Sequence, residues 1–275
     1  MTAADPAPPV DGSGTARARC VLAANPGPMT LNGTNTWLIA EPGSPSVLVV
    51  DPGPDDEAHL RRVAALAAAA GQRVARILLT HGHLDHSAGS ARLAELTGAP
   101  VLALDPAFRR GSGELSPGDV LTDAGCEVRV VAAPGHTADS VCLLLPADGA
   151  LLTGDTVLGS GTTVIAQDGS LADYLATLDR LRALADAERL RVLLPGHGPL
   201  LADPAGVLDF YIAHRRERLA EVRAALAAGD RTGEQIVARV YAEVDPALWP
   251  FARWSVRAQL DYLASQGELP PGVSP

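Results

Sequence analysis

The stretch His81-Gly82-His83-Leu84-Asp85-His86 places four side chains that can bind a metal within six residues. It follows an apolar run, residues 75–80, which predicts a buried strand. Three imidazoles and one carboxylate this close together pack poorly, because each buried polar group needs a partner of its own. A divalent cation is a partner for all of them. Nitrogen and carboxylate ligands suit zinc, with iron and manganese as alternatives.

The spacing within this stretch divides its ligands into two groups. Alternate residues leaving a strand point to the same side, so His81 and His83 can bind one cation. Asp85 and His86 lie too near along the chain to reach that same ion, and we expect them to face a second one. The stretch therefore predicts two metal positions.

Length and composition bound the class of protein. The chain has 275 residues, 47% of them hydrophobic, which is enough for one layered domain and a small additional one. Its net charge of −10 disfavours general nucleic-acid binding, because phosphate contacts drive that affinity. Three widely spaced cysteines and the lack of a membrane-length apolar run predict a cytoplasmic protein without disulfides. The proline-rich segment 1–18 is predicted to be a disordered tail.

Three later strands end in the same way as the strand before His81. The apolar runs 126–132, 150–152 and 189–194 each lead into a glycine and then a residue that can bind metal. These residues are His136, Asp155 and His197. We expect them to converge with the first stretch at one edge of a layered sheet. Three histidines would then hold one cation, an aspartate and two histidines the other, and Asp155 would bridge them.

The remaining segments suggest an α/β catalytic domain over residues 19–203 and a second domain over 204–275. Segments 19–23, 34–40 and 46–50 predict an antiparallel meander, and helices are predicted at 55–70, 85–96 and 171–185. After Asp203-Pro204, three helices and a short final strand at 267–270 predict a winged-helix-like module. From Ala205 onward the chain has eight Arg and nine acidic residues, so the module has no excess of positive charge for binding nucleic acid. We therefore interpret the module as a lid or a dimer surface.

Several other polar residues receive structural interpretations. His59 lies on an amphipathic helix and is expected at the surface. His214 is expected to pack the module against the catalytic domain, with lining of the substrate entrance as the alternative. The cluster Arg215, Arg216 and Arg218 has acidic neighbours and is expected to be a solvated helix face, with phosphate binding as the alternative.

The motifs His-x-His-x-Asp-His, Gly-His, Gly-Asp and Pro-Gly-His, in this order, resemble the metallo-β-lactamase superfamily. The resemblance covers residues 19–203 and implies a four-layer αβ/βα sandwich, in which two mixed sheets lie between outer helices. Asp51 matches the structural aspartate of the family's first motif. Asp155 stands where antibiotic-hydrolysing members often carry Cys, so β-lactam hydrolysis is not expected.

A second resemblance extends over nearly the whole chain. The segments 25–28, 33–36, 154–164 and 211–215, together with the C-terminal module, resemble the β-lactamase-like protein 2 group. Animal members of that group are similar to single-strand endoribonucleases, and fungal relatives include thioesterases that release polyketides from a carrier protein. The resemblance implies a fold and a metal site, and it leaves the substrate open.

These observations predict a dinuclear zinc hydrolase whose nucleophile is a hydroxide bridging the two cations. Asp85 and His86 are expected to hold the second cation and to orient the water. Two substrate classes stay open, the phosphodiester of single-stranded RNA and a small-molecule ester or thioester. The alternatives are a mononuclear iron dioxygenase of the persulfide type and a non-catalytic nucleic-acid-binding protein. No organic cofactor and no membrane partner are expected, and a homodimer would form through the module.

Overall fold

The computed structural model describes residues 10–273, so the predicted tail, 1–18, lies partly outside this range. Within it, Val10 is buried in the core between the two sheets. Arg17 pairs with both Glu41 and Asp148, at 2.5 Å in each case. Residues 10–18 are therefore packed against the domain and are not a disordered tail.

The N-terminal sheet has five strands in chain order, β1-β2-β3-β4-β5. The first three pair antiparallel and confirm the predicted meander, while the last two join in parallel. All five residues of the third strand are buried, as expected for an apolar strand covered on both faces. The strands are β1 (Ala18–Leu22), β2 (Asn35–Ile39), β3 (Ser46–Val50), β4 (Arg73–Leu78) and β5 (Val101–Leu102).

The C-terminal sheet has six strands in the reverse order, from β11 to β6. Within this sheet, only β9 (Ala150–Gly154) and β10 (Val192–Pro195) pair in parallel, because the long helix Leu171–Ala187 connects them. The strands are β6 (Val120–Leu121), β7 (Val128–Ala132), β8 (Val141–Leu145), β9 (Ala150–Gly154), β10 (Val192–Pro195) and β11 (Leu201–Ala202).

Helices cover the outer faces of both sheets. The helices are α1 (Glu57–Ala69), α2 (Leu84–Ser87), α3 (Ser90–Thr97), α4 (Leu171–Ala187), α5 (Pro204–Ala227), α6 (Gly233–Val240) and α7 (Trp249–Ser265). Helices α1 and α3 pack on the first sheet, and α4 packs on the second. A third apolar cluster fills the space between the sheets. The predicted αβ/βα sandwich is therefore confirmed.

The single helix predicted over 85–96 is in fact two helices, which meet at Gly89. A Cβ at Gly89 would lie 2.8 Å from the carbonyl oxygen of Pro54 and 2.7 Å from the side chain of Leu60. The close approach requires glycine, and Gly89 N donates to the Gly53 carbonyl at 3.0 Å, outside the helix. The prediction of one continuous helix was therefore wrong.

The C-terminal module consists of α5, α6 and α7, and it shares one apolar cluster with α4 and the outer face of the second sheet. A capping box of Thr232 and Gln235 begins α6. The predicted final strand is not formed within the described residues, since residues 267–270 turn back and Glu268 pairs with Arg223 at 2.6 Å. None of the helices among residues 10–273 has the length and apolarity needed to cross a bilayer.

Candidate metal centre

Four strand ends at one edge of the sandwich, one from the first sheet and three from the second, supply the predicted site. The stretch from His81 follows β4 of the first sheet. His136, Asp155 and His197 follow β7, β9 and β10 of the second. Strands pack their apolar side chains into the core and leave polar residues at their exits, so these side chains meet where the sheets face each other.

The first group contains three imidazoles whose ring nitrogens face one another. His81 Nε2 lies 3.1 Å from His83 Nδ1, which lies 3.0 Å from His136 Nε2. His81 and His136 are buried, while the side chain of His83 is 34% exposed. These three nitrogens surround one point that a cation can occupy.

The second group contains Asp85, His86 and His197. His197 Nε2 lies 3.1 Å from both His86 Nε2 and Asp85 Oδ2. The two imidazoles are fully buried, and the aspartate side chain is 31% exposed. This group surrounds a second point.

Asp155 lies between the two groups. Its Oδ1 is 3.3 Å from His86 Nε2, and its Oδ2 is 3.4 Å from His197 Nε2 and 3.8 Å from His136 Nε2. One carboxylate therefore contacts histidines of both groups, which is the position that a bridging ligand needs.

The outward ring nitrogens of all five histidines contact oxygen atoms. Their partners, in chain order, are Thr80 Oγ1 at 3.0 Å, Asp168 Oδ2 at 2.8 Å, Asp51 Oδ2 at 2.9 Å, the Val164 carbonyl at 2.9 Å and the Gly33 carbonyl at 3.1 Å. An outward nitrogen that donates to oxygen leaves the inward nitrogen of a neutral ring with a lone pair. Burial lowers the pKa of His81 and His136, so these rings are neutral, and lone pairs that converge repel unless a cation lies between them; the donor set of the first group therefore fits a metal ion.

Asp51 connects Thr80, which follows β4, to His86 of the second group. The residue is buried and has a positive φ of 50°, a conformation that Asp and Asn adopt more readily than most residues. Its Oδ1 accepts from Thr80 N at 2.7 Å, and its Oδ2 accepts from Thr80 Oγ1 at 2.7 Å and from His86 at 2.9 Å. Asp51 thus fixes both the ring of His86 and the start of the stretch that contains the candidate ligands.

The two groups differ electrostatically. Burial lowers the pKa of His81 well below its ordinary value, so this imidazole is neutral. Burial also lowers the pKa of His86, but Asp155 and Asp51 outweigh it and raise that pKa well above the ordinary value. Asp155 and Asp85 likewise overcome burial and raise the pKa of His197 to about 9. A cation entering the second group must therefore displace protons.

A cavity of about 410 Å³ opens beside the centre, between the catalytic domain and the C-terminal module. His136 and Asp155 form one part of its wall, and α5, α7 and the segment 241–248 before α7 form another. Apolar side chains dominate the remainder, namely Met29, Leu31, Leu158, Val164, Val244, Leu248 and Phe251. The cavity offers space for a mostly apolar group next to the candidate metal ligands.

The loop after Asp155 forms part of this wall, and two helices hold it. Tyr174 of α4 donates to the Thr156 carbonyl at 2.6 Å. Tyr211 of α5 accepts from Leu158 N at 2.9 Å. Arg215, one turn further along α5, donates to the Thr163 carbonyl. The module therefore helps to shape the loop that borders the centre.

Two residues were placed wrongly from the sequence. His59 is buried, and its Nε2 lies 2.9 Å from Thr36 Oγ1, because it is one turn before Val63 on the inner face of α1. Arg215 is also buried and does not belong to a solvated face. His214 lies over Phe210, with ring centroids 6.0 Å apart, and lines the cavity, in agreement with the alternative interpretation.

Asp168, Tyr174 and Tyr211 did not emerge from the sequence. Asp168 lies in a loop, and its contact with His83 spans 85 residues of chain, a separation that no local pattern encodes. Tyr211 and Arg215 carried one usable signal. Their spacing of four places them on one face of a helix, and a tyrosine and an arginine on a buried face require polar partners.

Comparison with known proteins agrees with this geometry. The family model described as the metallo-beta-lactamase superfamily matches residues 29–197, and that of the beta-lactamase associated winged helix domain matches residues 232–268. A beta-lactamase-like protein 2 homolog from Drosophila melanogaster is 33% identical, over 90% of this chain and 88% of the relative.

Two further similarities concern a fungal enzyme and a bacterial structure. An atrochrysone carboxyl ACP thioesterase from Aspergillus fumigatus is 34% identical over 75% of this chain, which spans 64% of that relative. The crystal structure of a metallo-beta-lactamase family protein from Thermus thermophilus superposes with a TM-score of 0.75. It covers 91% of this chain and 94% of its own length at 24% identity, which supports the fold alone.

Proposed function

This chain belongs to the metallo-β-lactamase superfamily, and from that premise we propose that it is a dinuclear metal-dependent hydrolase of esters or thioesters. Membership gives the fold and a metal-dependent hydrolase as the general class. The number of cations, their identity and the substrate are our proposal.

Seven side chains would hold two cations. His81, His83 and His136 would bind the first, and Asp85, His86 and His197 the second. Asp155, which contacts histidines of both groups, would bridge them. The nitrogen and carboxylate donors favour zinc, with iron and manganese as alternatives. When bound, two such cations lower the pKa of water toward neutrality and stabilise negative charge on the substrate oxygen.

The protein's own groups would set up this chemistry. The outward ring nitrogens donate to Thr80, Asp51, Asp168 and the Val164 and Gly33 carbonyls, which thereby fix the tautomer of each histidine ligand. Asp85 is the most exposed group of the second set, so one of its oxygens is available to orient the attacking water. Asp85 and His86 are therefore the residues proposed to act in both binding and catalysis.

The apolar cavity carries the choice of substrate. A volume of about 410 Å³ bordered by His136 and Asp155 fits a compact acyl group whose scissile carbonyl faces the centre. A polynucleotide would need a longer open groove with basic walls, and the net charge of −10 weighs against one. The similarity to a thioesterase supports the same choice.

Cleavage of single-stranded RNA is the second candidate. The observation that favours it is the presence of Arg215 and Arg218 in the cavity wall, since guanidinium groups bind phosphate. A mononuclear iron dioxygenase is disfavoured, because it gives the buried second group no role. A non-catalytic nucleic-acid-binding protein is disfavoured for the same reason.

Metal analysis and a substrate comparison test the proposal. We expect about two zinc ions per purified chain, as in two-metal hydrolases. The loaded protein should hydrolyse a short acyl thioester faster than a single-stranded oligoribonucleotide, and a chelator should abolish both activities. His83→Ala should remove thioester hydrolysis while Arg216→Met, on the exposed face of α5, retains it. A single bound iron, or thioester turnover that survives His83→Ala, would contradict the proposal.

A further inference from the structure

Arg215 is a buried cation in the wall of the cavity. The residue is 5% exposed, although arginine is seldom buried unless it is paired. It lies on α5, and it lines the same cavity as His136 and Asp155 of the candidate centre. Its guanidinium group therefore lies where a substrate held at the centre would extend.

The protein uses little of the hydrogen-bonding capacity of Arg215. A guanidinium has five N–H donors, and Nη2 donates to the Thr163 carbonyl. The ring of Tyr174 lies 5.1 Å from the guanidinium carbon and gives a cation–π contact. Among residues 10–273, no carboxylate lies within 4.0 Å of its nitrogens, and the buried Nε has no acceptor.

The neighbouring arginines of α5 differ in this respect. Arg218 pairs with Glu221 at 2.7 Å, and the exposed Arg216 lies 3.5 Å from Asp179. Arg215 is the most buried of the three and lacks such a carboxylate in the part of the chain that the structure describes. His214, which precedes it and also lines the cavity, has a buried Nδ1 that meets no hydrogen-bond partner among residues 10–273.

A buried charge without a counter-ion destabilises a protein. Holding the Thr163 carbonyl in place does not require a charged side chain. A neutral donor would bond the Thr163 carbonyl without the cost of desolvating a charge. The arrangement is explained when a ligand supplies the missing negative charge. A carboxylate would accept two parallel hydrogen bonds from the guanidinium and restore charge balance in the cavity.

We propose that Arg215, assisted by His214, binds a carboxylate or similarly anionic oxygen on the acyl group of the substrate. This inference rests on the proposed ester or thioester hydrolysis and names the class of acyl group. The acyl chain would present its scissile carbonyl to the centre, its apolar part to Leu158 and Phe251, and its acidic end to α5. The C-terminal module would then select among acyl groups by charge.

A matched pair of thioesters tests the inference, namely a hexanoyl thioester and an adipoyl thioester, which has the same chain length and a terminal carboxylate. The zinc-loaded full chain should prefer the adipoyl compound in kcat/KM. Arg215→Met should reduce the ratio of the two kcat/KM values by about 10- to 100-fold, as for loss of a hydrogen bond to a charged group. The ratio is informative because a shift of the loop at Thr163 affects both substrates.

Arg216→Met is the matched control, since it removes an exposed guanidinium from the next position of the same helix. It should leave the ratio unchanged. Equal ratios for wild type and Arg215→Met would overturn the inference. So would a loss confined to oligoribonucleotide cleavage, because Arg215 would then contact phosphate.

Binding of adipate separates this inference from the proposed function. Calorimetry on the zinc-loaded wild type, Arg215→Met and Arg216→Met measures the subsite even if neither thioester is hydrolysed. Weaker adipate binding in Arg215→Met alone would support the subsite, and an absence of thioester turnover would then count only against the proposed hydrolysis. Identical binding by all three proteins would overturn the subsite.

Discussion

Replacing Asp51 with asparagine tests how the residues behind the centre control it. Asparagine keeps the shape of the side chain and tolerates the positive φ of 50° at this position. Its amide group, however, has one acceptor oxygen where the carboxylate has two. The three donors that contact Asp51 are Thr80 N, Thr80 Oγ1 and His86 Nδ1.

The geometry sets the size of the effect. If the amide nitrogen takes the place of Oδ1, Thr80 N–H loses its acceptor. If it takes the place of Oδ2, Thr80 Oγ1 and His86 Nδ1 lose theirs. At least one buried donor is therefore left without an acceptor. That loss destabilises the fold by about 1–3 kcal/mol. At about 2–4 °C per kcal/mol for a chain of this size, Tm should fall by about 2–12 °C.

Metal binding should change with it. Loss of the carboxylate behind a histidine ligand typically weakens metal affinity by about 10- to 100-fold. Competition with a chromophoric chelator should detect this loss for the cation held by His86, while the cation held by His81, His83 and His136 stays bound. Asp55→Asn is the control, because Asp55 is exposed near the start of α1. If Asp51→Asn retained wild-type affinity and Tm, Asp51 would not position His86.

Two further substitutions probe the loop and the packed N-terminal segment. Tyr211→Phe should destabilise the protein by about 1–3 kcal/mol in urea denaturation and lower kcat/KM, because Leu158 N–H at the cavity wall loses its acceptor. The control is Tyr262→Phe, because the Tyr262 hydroxyl has no hydrogen bond among residues 10–273; this variant should change neither quantity. Equal effects of the two substitutions would contradict the role of Tyr211. Asp148→Asn should destabilise by about 1–3 kcal/mol at pH 7. Burial raises the pKa of Asp148, but Thr15 and Arg17 outweigh it and lower the pKa below its ordinary value. Because the folded pKa is lowered, the ionised carboxylate stabilises the fold at pH values above the unfolded pKa of about 3.9, and this contribution is lost as pH falls through the folded pKa. The difference in unfolding free energy between wild type and Asp148→Asn should therefore shrink below about pH 4; a constant difference would refute the assignment.

The sequence predicted much of the fold because its strand pattern is local. The antiparallel meander of β1 to β3 and the glycine-containing exits of β7, β9 and β10 follow from a few adjacent residues each. The structure brings together all seven predicted ligands because each lies at such an exit. Strand ends are therefore the feature of this chain from which a site is most directly predicted.

What the sequence did not predict depends on contacts between distant segments. Asp168 reaches His83 across 85 residues, and Arg215 reaches Thr163 across 52. The burial of His59 depends on which turn of an alanine-rich helix faces the sheet, and alanine gives little contrast between faces. The break at Gly89 depends on the backbone of Pro54 passing beside it. Periodicity contains none of this information.

The distribution of candidate ligands along the chain has a consequence for biosynthesis. His81, His83 and His136 are all present once the loop after β7 has been made, whereas the second group needs His197, which follows the whole of α4. Synthesis runs from the N-terminus, so a nascent chain on the ribosome completes one ligand set well before the other. The order of the strands therefore favours sequential loading, in which the position held by three histidines is filled first. The second cation would join only when the last sheet strands close the sandwich.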